Sequence, residues 1–252
     1  MTDISTSTAS ETSGAGEGRL AGRVALVTGA SRGIGFAVAR RFAAEGAHVI
    51  ATARTVGGLE ELDDLVQADG NTITLAPVDL LQLDQIDVLC ASIYQRFKKL
   101  DILIGNAGML GKLTPMAHAD PKEWQRVFAL NVHANQRLIR ACDAVLRQSD
   151  AGRAVFVTSG AAQGTKPYWA SYGASKAALD ALVKTYAEET RKTNLRVNLL
   201  SPGPVATGMR AQAFPGEKPE TITQPEQVAE LFVSLSEPSC TKHGEIVRFG
   251  DQ

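Results

Sequence analysis

Several things are scarce or missing in this chain. Its 252 residues hold three cysteines, Cys90, Cys142 and Cys240, with no C-x-x-C pair. The four histidines, His48, His118, His133 and His243, are isolated and form no H-E-x-x-H, so no metal site is expected. Cysteines scattered in this way read as small hydrophobes in a reducing compartment. No apolar run approaches the roughly 18 residues of a membrane helix, and no membrane partner is expected. Surplus charge is missing too: 26 Lys and Arg against 27 Asp and Glu leave a net charge of −1. Contacts to a phosphate backbone need clustered cations, so a general nucleic-acid binder is excluded. Residues 1–20 are rich in Ser, Thr and Gly and lack the basic start and hydrophobic stretch of a signal peptide. They are expected to be a disordered tail, and the protein to be cytoplasmic.

What is present points to one α/β domain over residues 21–252. Apolar residues at 44% and charged residues at 21% are globular proportions, which excludes wholesale disorder and coiled coil. Short β-branched runs at 24–28, 48–53, 72–77, 102–105, 154–158, 196–200 and 245–249 alternate with segments of helical period at 34–45, 59–69, 83–98, 121–146, 172–190 and 225–236. Strict strand–helix alternation predicts a seven-stranded parallel sheet with helices on both faces, a single doubly wound domain. Ligands then sit beyond the carboxyl ends of the strands, where strand order reverses.

The loop after the first strand reads Thr28-Gly29-Ala30-Ser31-Arg32-Gly33-Ile34-Gly35. Gly29 permits the turn out of the strand, Gly33 lets backbone approach a pyrophosphate, and Gly35 lets the helix pack close. The helix N-terminus offers unpaired N–H groups to phosphate, so this strand–loop–helix predicts dinucleotide binding. At the end of the second strand, Ala51-Thr52-Ala53-Arg54-Thr55 lacks the acid that would accept a ribose 2′-hydroxyl. Arg32 and Arg54 taken singly are ordinary surface charges. Together, with the acid missing, they favour NADP(H) over NAD(H), because guanidinium pairs bidentately with phosphate. Asp79, after the third strand, is either an acceptor for the adenine amino group or a plain turn residue, with Leu80 beside it.

Tyr172 and Lys176 stand four apart at a helix start and so share a face. Ser159 lies thirteen residues earlier, directly after the fifth strand. A strand-end hydroxyl and a phenol on the next helix can converge on one substrate oxygen. A tyrosine near its ordinary pKa of about 10 is a poor base, and a neighbouring ammonium would favour its phenolate. Tyr94 and Lys98 repeat the spacing without such a serine and read as an ordinary helix face.

With these motifs in order, the chain resembles the short-chain dehydrogenase/reductase family from Arg23 to Phe249, and the resemblance implies a Rossmann-type domain. The family's Asn-Asn-Ala-Gly motif appears as Gly105-Asn106-Ala107-Gly108, and its Pro-Gly motif as Pro202-Gly203, followed by Val205 and Thr207. The resemblance implies that Asn106, Ala107, Gly108, Pro202, Gly203, Val205 and Thr207 border the nicotinamide, and that Lys176 also holds its ribose. It implies that Asn131, which alone could be a helix-kink residue, completes a catalytic set of Asn131, Ser159, Tyr172 and Lys176. Arg32 resembles the NADP-preferring members, and the stretch 209–217 resembles a bacterial branch whose members mostly have no assigned substrate. The implied reaction is interconversion of a small-molecule carbonyl compound and its alcohol by hydride transfer. An NAD-dependent dehydrogenase and a non-catalytic nucleotide-binding scaffold are the alternatives. Gly105 departs from the motif and is expected to loosen a backbone contact. The substrate pocket is expected at Leu110, 160–168, Trp169, Met209 and Phe214, with Trp169 and Phe214 equally open to core or oligomer contacts. The alanines at 174, 177, 178 and 181 allow close helix packing, either internal or, as the family implies, in a homodimer or homotetramer.

Overall fold

The computed structural model describes residues 18–250. Seven strands, β1 (Val24–Thr28), β2 (His48–Ala53), β3 (Ile73–Pro77), β4 (Ile102–Gly105), β5 (Arg153–Val157), β6 (Arg196–Ser201) and β7 (Ile246–Arg248), form one sheet in the order β3-β2-β1-β4-β5-β6-β7. Every neighbouring pair is parallel. The chain winds outward from β1 to β3, then returns to β4 on the other side of β1, with Leu26 opposite Leu103. That reversal opens a crevice at the carboxyl ends of the strands.

Both faces are covered, and for that reason the strands are mostly apolar. Helices α1 (Gly33–Ala44) and α2 (Val56–Ala68) pack on one face, and α3 (Leu83–Phe97) on the other. After β4 come α4 (Pro121–Phe128) and α5 (Ala134–Gln148), and after β5 comes α6 (Ala170–Thr190). Helices α5 and α6 join α3 on its face. A short α7 (Gly208–Ala213) follows β6, and α8 (Pro225–Ser236) joins α1 on the first face. Side chains of β1 alternate accordingly, with Ala25 and Val27 toward α1 and Val24 and Leu26 toward α3.

Two expectations are corrected, and two features go beyond what was expected. The helix expected over 121–146 is broken by a π-helical turn, Ala129–His133, whose wider winding turns Asn131 inward to bond outside the helix. Helix α7 was not foreseen; Thr207 Oγ1 accepts from Arg210 N at 3.2 Å and caps it. The tail expected over 1–20 lies outside the described residues as far as position 17, whereas Arg19 and Leu20 belong to the packed domain. Leu20 is fully buried, its N–H donates to Glu45 O at 2.9 Å, and Arg19 pairs with Glu230 and Glu237. Finally, Cys90 on α3 and Cys142 on α5 are distant in sequence yet meet as buried thiols with their sulfurs 2.9 Å apart. The hydrogen bond to Cys90, with burial, pushes the Cys142 thiol well up, so the Cys142 sulfur is not a poised nucleophile.

Candidate active site

A cleft of about 580 Å³ opens over the carboxyl ends of the strands. Every residue expected to bind a dinucleotide lines it except Gly35, and every expected catalytic residue lines it except Asn131. Those two lie just behind its wall.

The wall is built by close backbone contacts. Gly29 holds the left-handed conformation (φ +68°) in the turn out of β1. A Cβ on Gly35 would stand 2.3 Å from Gly29 O and 2.5 Å from Asn106 Nδ2, so only glycine lets α1 press against this loop. Asn106 Nδ2 donates to Thr28 O at 2.9 Å, and Thr28 Oγ1 accepts from both Asn106 N and Ala107 N at 3.0 Å. The loops after β1 and β4 are therefore one rigid unit.

This unit fits a dinucleotide. Helix α1 has Arg32 at its N-cap with no side-chain cap and no acid in its first turn, so its leading N–H groups are left for an anion in the cleft. Arg32 and Arg54 line the same cleft, both exposed. Among the described residues, neither has an ion pair or a side-chain hydrogen bond. Asp79 is a turn residue in part: one carboxylate oxygen accepts from Leu81 N at 3.1 Å, and the carboxylate still borders the cleft beside buried Leu80.

The candidate catalytic groups come from the end of β5 and from α6. Ser159 follows β5, and its Oγ accepts from Ala161 N at 3.2 Å, capping the 3₁₀ turn Gly160–Ala162. Tyr172, in the first turn of α6, is buried against that turn with Ser159 as its hydroxyl partner. One turn on, Lys176 is buried as well, with Nζ 2.7 Å from Val157 O and 5.8 Å from the centre of the Tyr172 ring. The phenol is not made acidic here. Burial pushes it above the ordinary tyrosine value and outweighs the hydrogen bond to Ser159, while Lys176 is itself brought down to about 8 by burial. Two desolvated groups each retreat toward neutrality, which runs against the expected lowering of the phenol by the neighbouring ammonium.

Three further positions complete the arrangement. Asn131 Oδ1 accepts from Met109 N at 2.9 Å, and its Nδ2 donates to Met109 O and Ser175 Oγ, both at 2.9 Å. It holds the loop at Gly108, where a Cβ would lie 3.2 Å from Asn131 Oδ1 and 3.5 Å from Lys176 Nζ. Asp180, buried one turn beyond Lys176, accepts from the Thr158 hydroxyl and resists the downward shift of the lysine. Its four-residue spacing from Lys176 was the available signal. Ser175 and Asp180 escaped the sequence reading, as did Met109, Gly111, Glu123, Arg126 and Gln212 of the lining.

Tyr94 and Lys98 lie at the exposed end of α3, the ammonium 5.6 Å over the ring, away from the cleft. Gly105 does not loosen its surroundings: a Cβ there would meet the Phe156 ring at 2.3 Å and Asn135 Oδ1 at 2.7 Å, so those side chains occupy the space of the missing one. Leu110, Trp169 and Met209 line the cleft, but 160–168 does not. The 3₁₀ turn carries that stretch outward, and Tyr168, 59% exposed and left-handed at φ +74°, turns it back into α6. Phe214 backs Trp169, ring centres 5.8 Å apart, without reaching the cleft wall. Ala174, Ala177 and Ala181 are exposed on α6, so they do not pack internally.

A family model described as short chain dehydrogenase matches residues 23–218. The uncharacterized oxidoreductase YciK of Escherichia coli is 35% identical over 216 residues, covering 84% of this chain and 85% of that one. Benzil reductase ((S)-benzoin forming) of Saccharomyces cerevisiae is 33% identical over 227 residues, 86% of this chain and 84% of that one. Among solved structures, a short chain dehydrogenase of Shigella flexneri complexed with NADP superimposes with a TM-score of 0.88 at 34% identity, over 92% of this chain and 99% of that one. Another from Escherichia coli, complexed with NADPH, gives the same score and identity over 92% and 98%. Sheet order, glycine loop and family match agree: the chain belongs to the short-chain dehydrogenase family of oxidoreductases.

Proposed function

We propose that the protein is an NADP(H)-dependent oxidoreductase that interconverts a carbonyl compound and its alcohol. The reading is carried by one observation: Ser159, Tyr172 and Lys176, from two separate elements, meet in the cleft onto which the uncapped α1 N-terminus opens. The choice of NADP is supported by Arg32 and Arg54 at the cleft, by the missing acid after β2, and by structural relatives complexed with NADP and NADPH. When bound, the nicotinamide cofactor supplies or accepts the hydride.

The chain's own groups do the rest. Ser159 donates a hydrogen bond to the substrate oxygen and holds it within reach of the Tyr172 hydroxyl. In reduction the phenol must keep its proton until charge develops on that oxygen, and burial raises its pKa in that direction. The proton then passes from Tyr172 to the nascent alkoxide. Lys176, brought down to about 8, exchanges protons near neutrality and stands beside the phenol to restore it. Asn131 holds the Gly108 loop against Lys176. Assembly through the exposed alanine face of α6 as a dimer or tetramer, in the cytoplasm, belongs to the same proposal.

The test is Tyr172→Phe, assayed by NADPH absorbance over a panel of carbonyl compounds. Loss of a positioned acid lowers turnover by about 10²–10⁴-fold, with NADPH affinity retained. Full activity in the variant refutes the assignment.

A further inference from the structure

Apart from the two cores that flank the sheet, a third, small apolar cluster gathers at the cleft around Tyr172. It consists of Leu110, Ala161 and Tyr172, with Leu113, Trp169, Met209 and Ala213 packed against them. These residues come from the segments after β4 and β5, from the start of α6 and from α7, and belong to neither main core. A row of flat groups runs outward from the phenol. The Trp169 indole meets the Tyr172 ring edge-on, centres 5.9 Å apart at 70°, and Phe214 stands 5.8 Å behind the indole. The Arg210 guanidinium covers Phe214 at 3.7 Å and is itself fixed to Glu217 by two hydrogen bonds of 2.6 Å. Gln212 Nε2 donates to Gly111 O at 3.3 Å, tying α7 to the loop that carries Leu110. Arg210, Glu217 and Gln212 are thus engaged within the wall, and the indole is held by neighbours on several sides while still bordering the cleft.

Resting on the oxidoreductase reading above, we propose that the substrate carries an aryl group on its carbonyl carbon and that Trp169 is the specificity-determining residue. A carbonyl oxygen seated between Ser159 and Tyr172 leaves one substituent facing Leu110, Met209 and the indole. A planar conjugated ring fits a wall of flat, rigidly buttressed groups, and it gains edge or offset contacts that a saturated ring of equal size cannot make. Such contacts are worth about two- to tenfold in affinity beyond the buried area. The reaction balances as a two-electron reduction: hydride from NADPH adds to the carbonyl carbon, Tyr172 gives its proton to the oxygen, and solvent returns one proton to the phenol. The products are the aryl alcohol and NADP⁺.

The test needs no turnover. The NADP⁺-loaded protein is titrated by calorimetry with acetophenone and with cyclohexyl methyl ketone, which share a carbon count and differ in ring planarity. Acetophenone is expected to bind about fivefold more tightly or better. Trp169→Leu is expected to bring the ratio near one, and Phe214→Leu to reduce it by freeing the indole. Equal or tighter binding of the cyclohexyl compound, no binding of either ketone, or an unchanged ratio in Trp169→Leu overturns the aryl assignment. Titration of NADP⁺ alone separates this from failure of the oxidoreductase reading: without that binding, both fall.

Discussion

The ammonium of Lys176 is the group whose burial has the most measurable consequence, and replacing it with Met, which keeps the unbranched chain as far as Cε, exposes that consequence. Burial lowers the lysine from 10.5 to about 8, which corresponds to about 3 kcal/mol by which the folded protein disfavours the charged form. The sign follows from proton counting. Between pH 8 and 10.5 the unfolded chain binds more protons at this side chain than the folded one, so stability rises with pH across that window. Below pH 8 both states are charged and the full penalty stands. Above 10.5 neither is charged and the penalty is gone. Losing the 2.7 Å bond to Val157 O adds an offset of about 1–3 kcal/mol, which moves the variant's curve as a whole and leaves its slope alone. Titrating groups that do not face Lys176 cancel in the difference between the two proteins. Urea denaturation of both from pH 7 to pH 10 should therefore show the natural protein gaining about 2–3 kcal/mol on Lys176→Met. A difference that changes by less than about 0.5 kcal/mol, or one that moves the other way, refutes the claim that this lysine is held against its preferred charge.

Two further outcomes can be checked with simple variants. Gly105→Asn, which restores the family's usual residue, drives a side chain into Phe156 and Asn135 and is expected to destabilise by about 1–3 kcal/mol in chemical denaturation; a neutral result shows that the neighbouring side chains yield freely. Arg54→Ala is expected to weaken NADPH binding by roughly tenfold with NADH unaffected; equal loss for both cofactors removes Arg54 from 2′-phosphate recognition.

The sheet was legible because its strands are buried on both faces and leave apolar runs that no amphipathic helix shares. Strands such as β1, β2 and β4 begin and end where the runs do. The cleft residues were legible for a different reason: backbone approach admits only glycine at Gly29 and Gly35, and a phenol–ammonium pair has a fixed helical spacing. What stayed hidden depends on contacts between distant segments. The π-helical turn at Asn131 is stabilised by Met109 and Ser175, twenty and more residues away, and nothing in its local sequence departs from a helix. The meeting of Cys90 with Cys142 and the filling of the Gly105 space by Phe156 are likewise properties of packing. The acidity of Tyr172 was misjudged because spacing places an ammonium nearby but does not reveal how much water has been removed from both groups.

A comparison within the molecule bears on whether this cleft does chemistry or only holds a nucleotide. Among the described residues, Arg153, at the amino end of β5, is also a buried cation with no carboxylate partner. Its guanidinium donates to five main-chain carbonyls, those of Glu237, Gly152, Asn194, Pro238 and Cys240, at 2.6–3.3 Å, so a cation held for structure alone has its donors satisfied. Lys176, on α6 with its Nζ at the carboxyl end of the same strand, has three donors and, among the described residues, one acceptor, Val157 O. Its remaining N–H groups border the cleft beside a phenol that burial keeps protonated. A scaffold that only bound a nucleotide would gain nothing from that pairing of an under-satisfied ammonium with a proton-holding hydroxyl. An oxidoreductase needs both, one to hold the proton for transfer and the other to replace it.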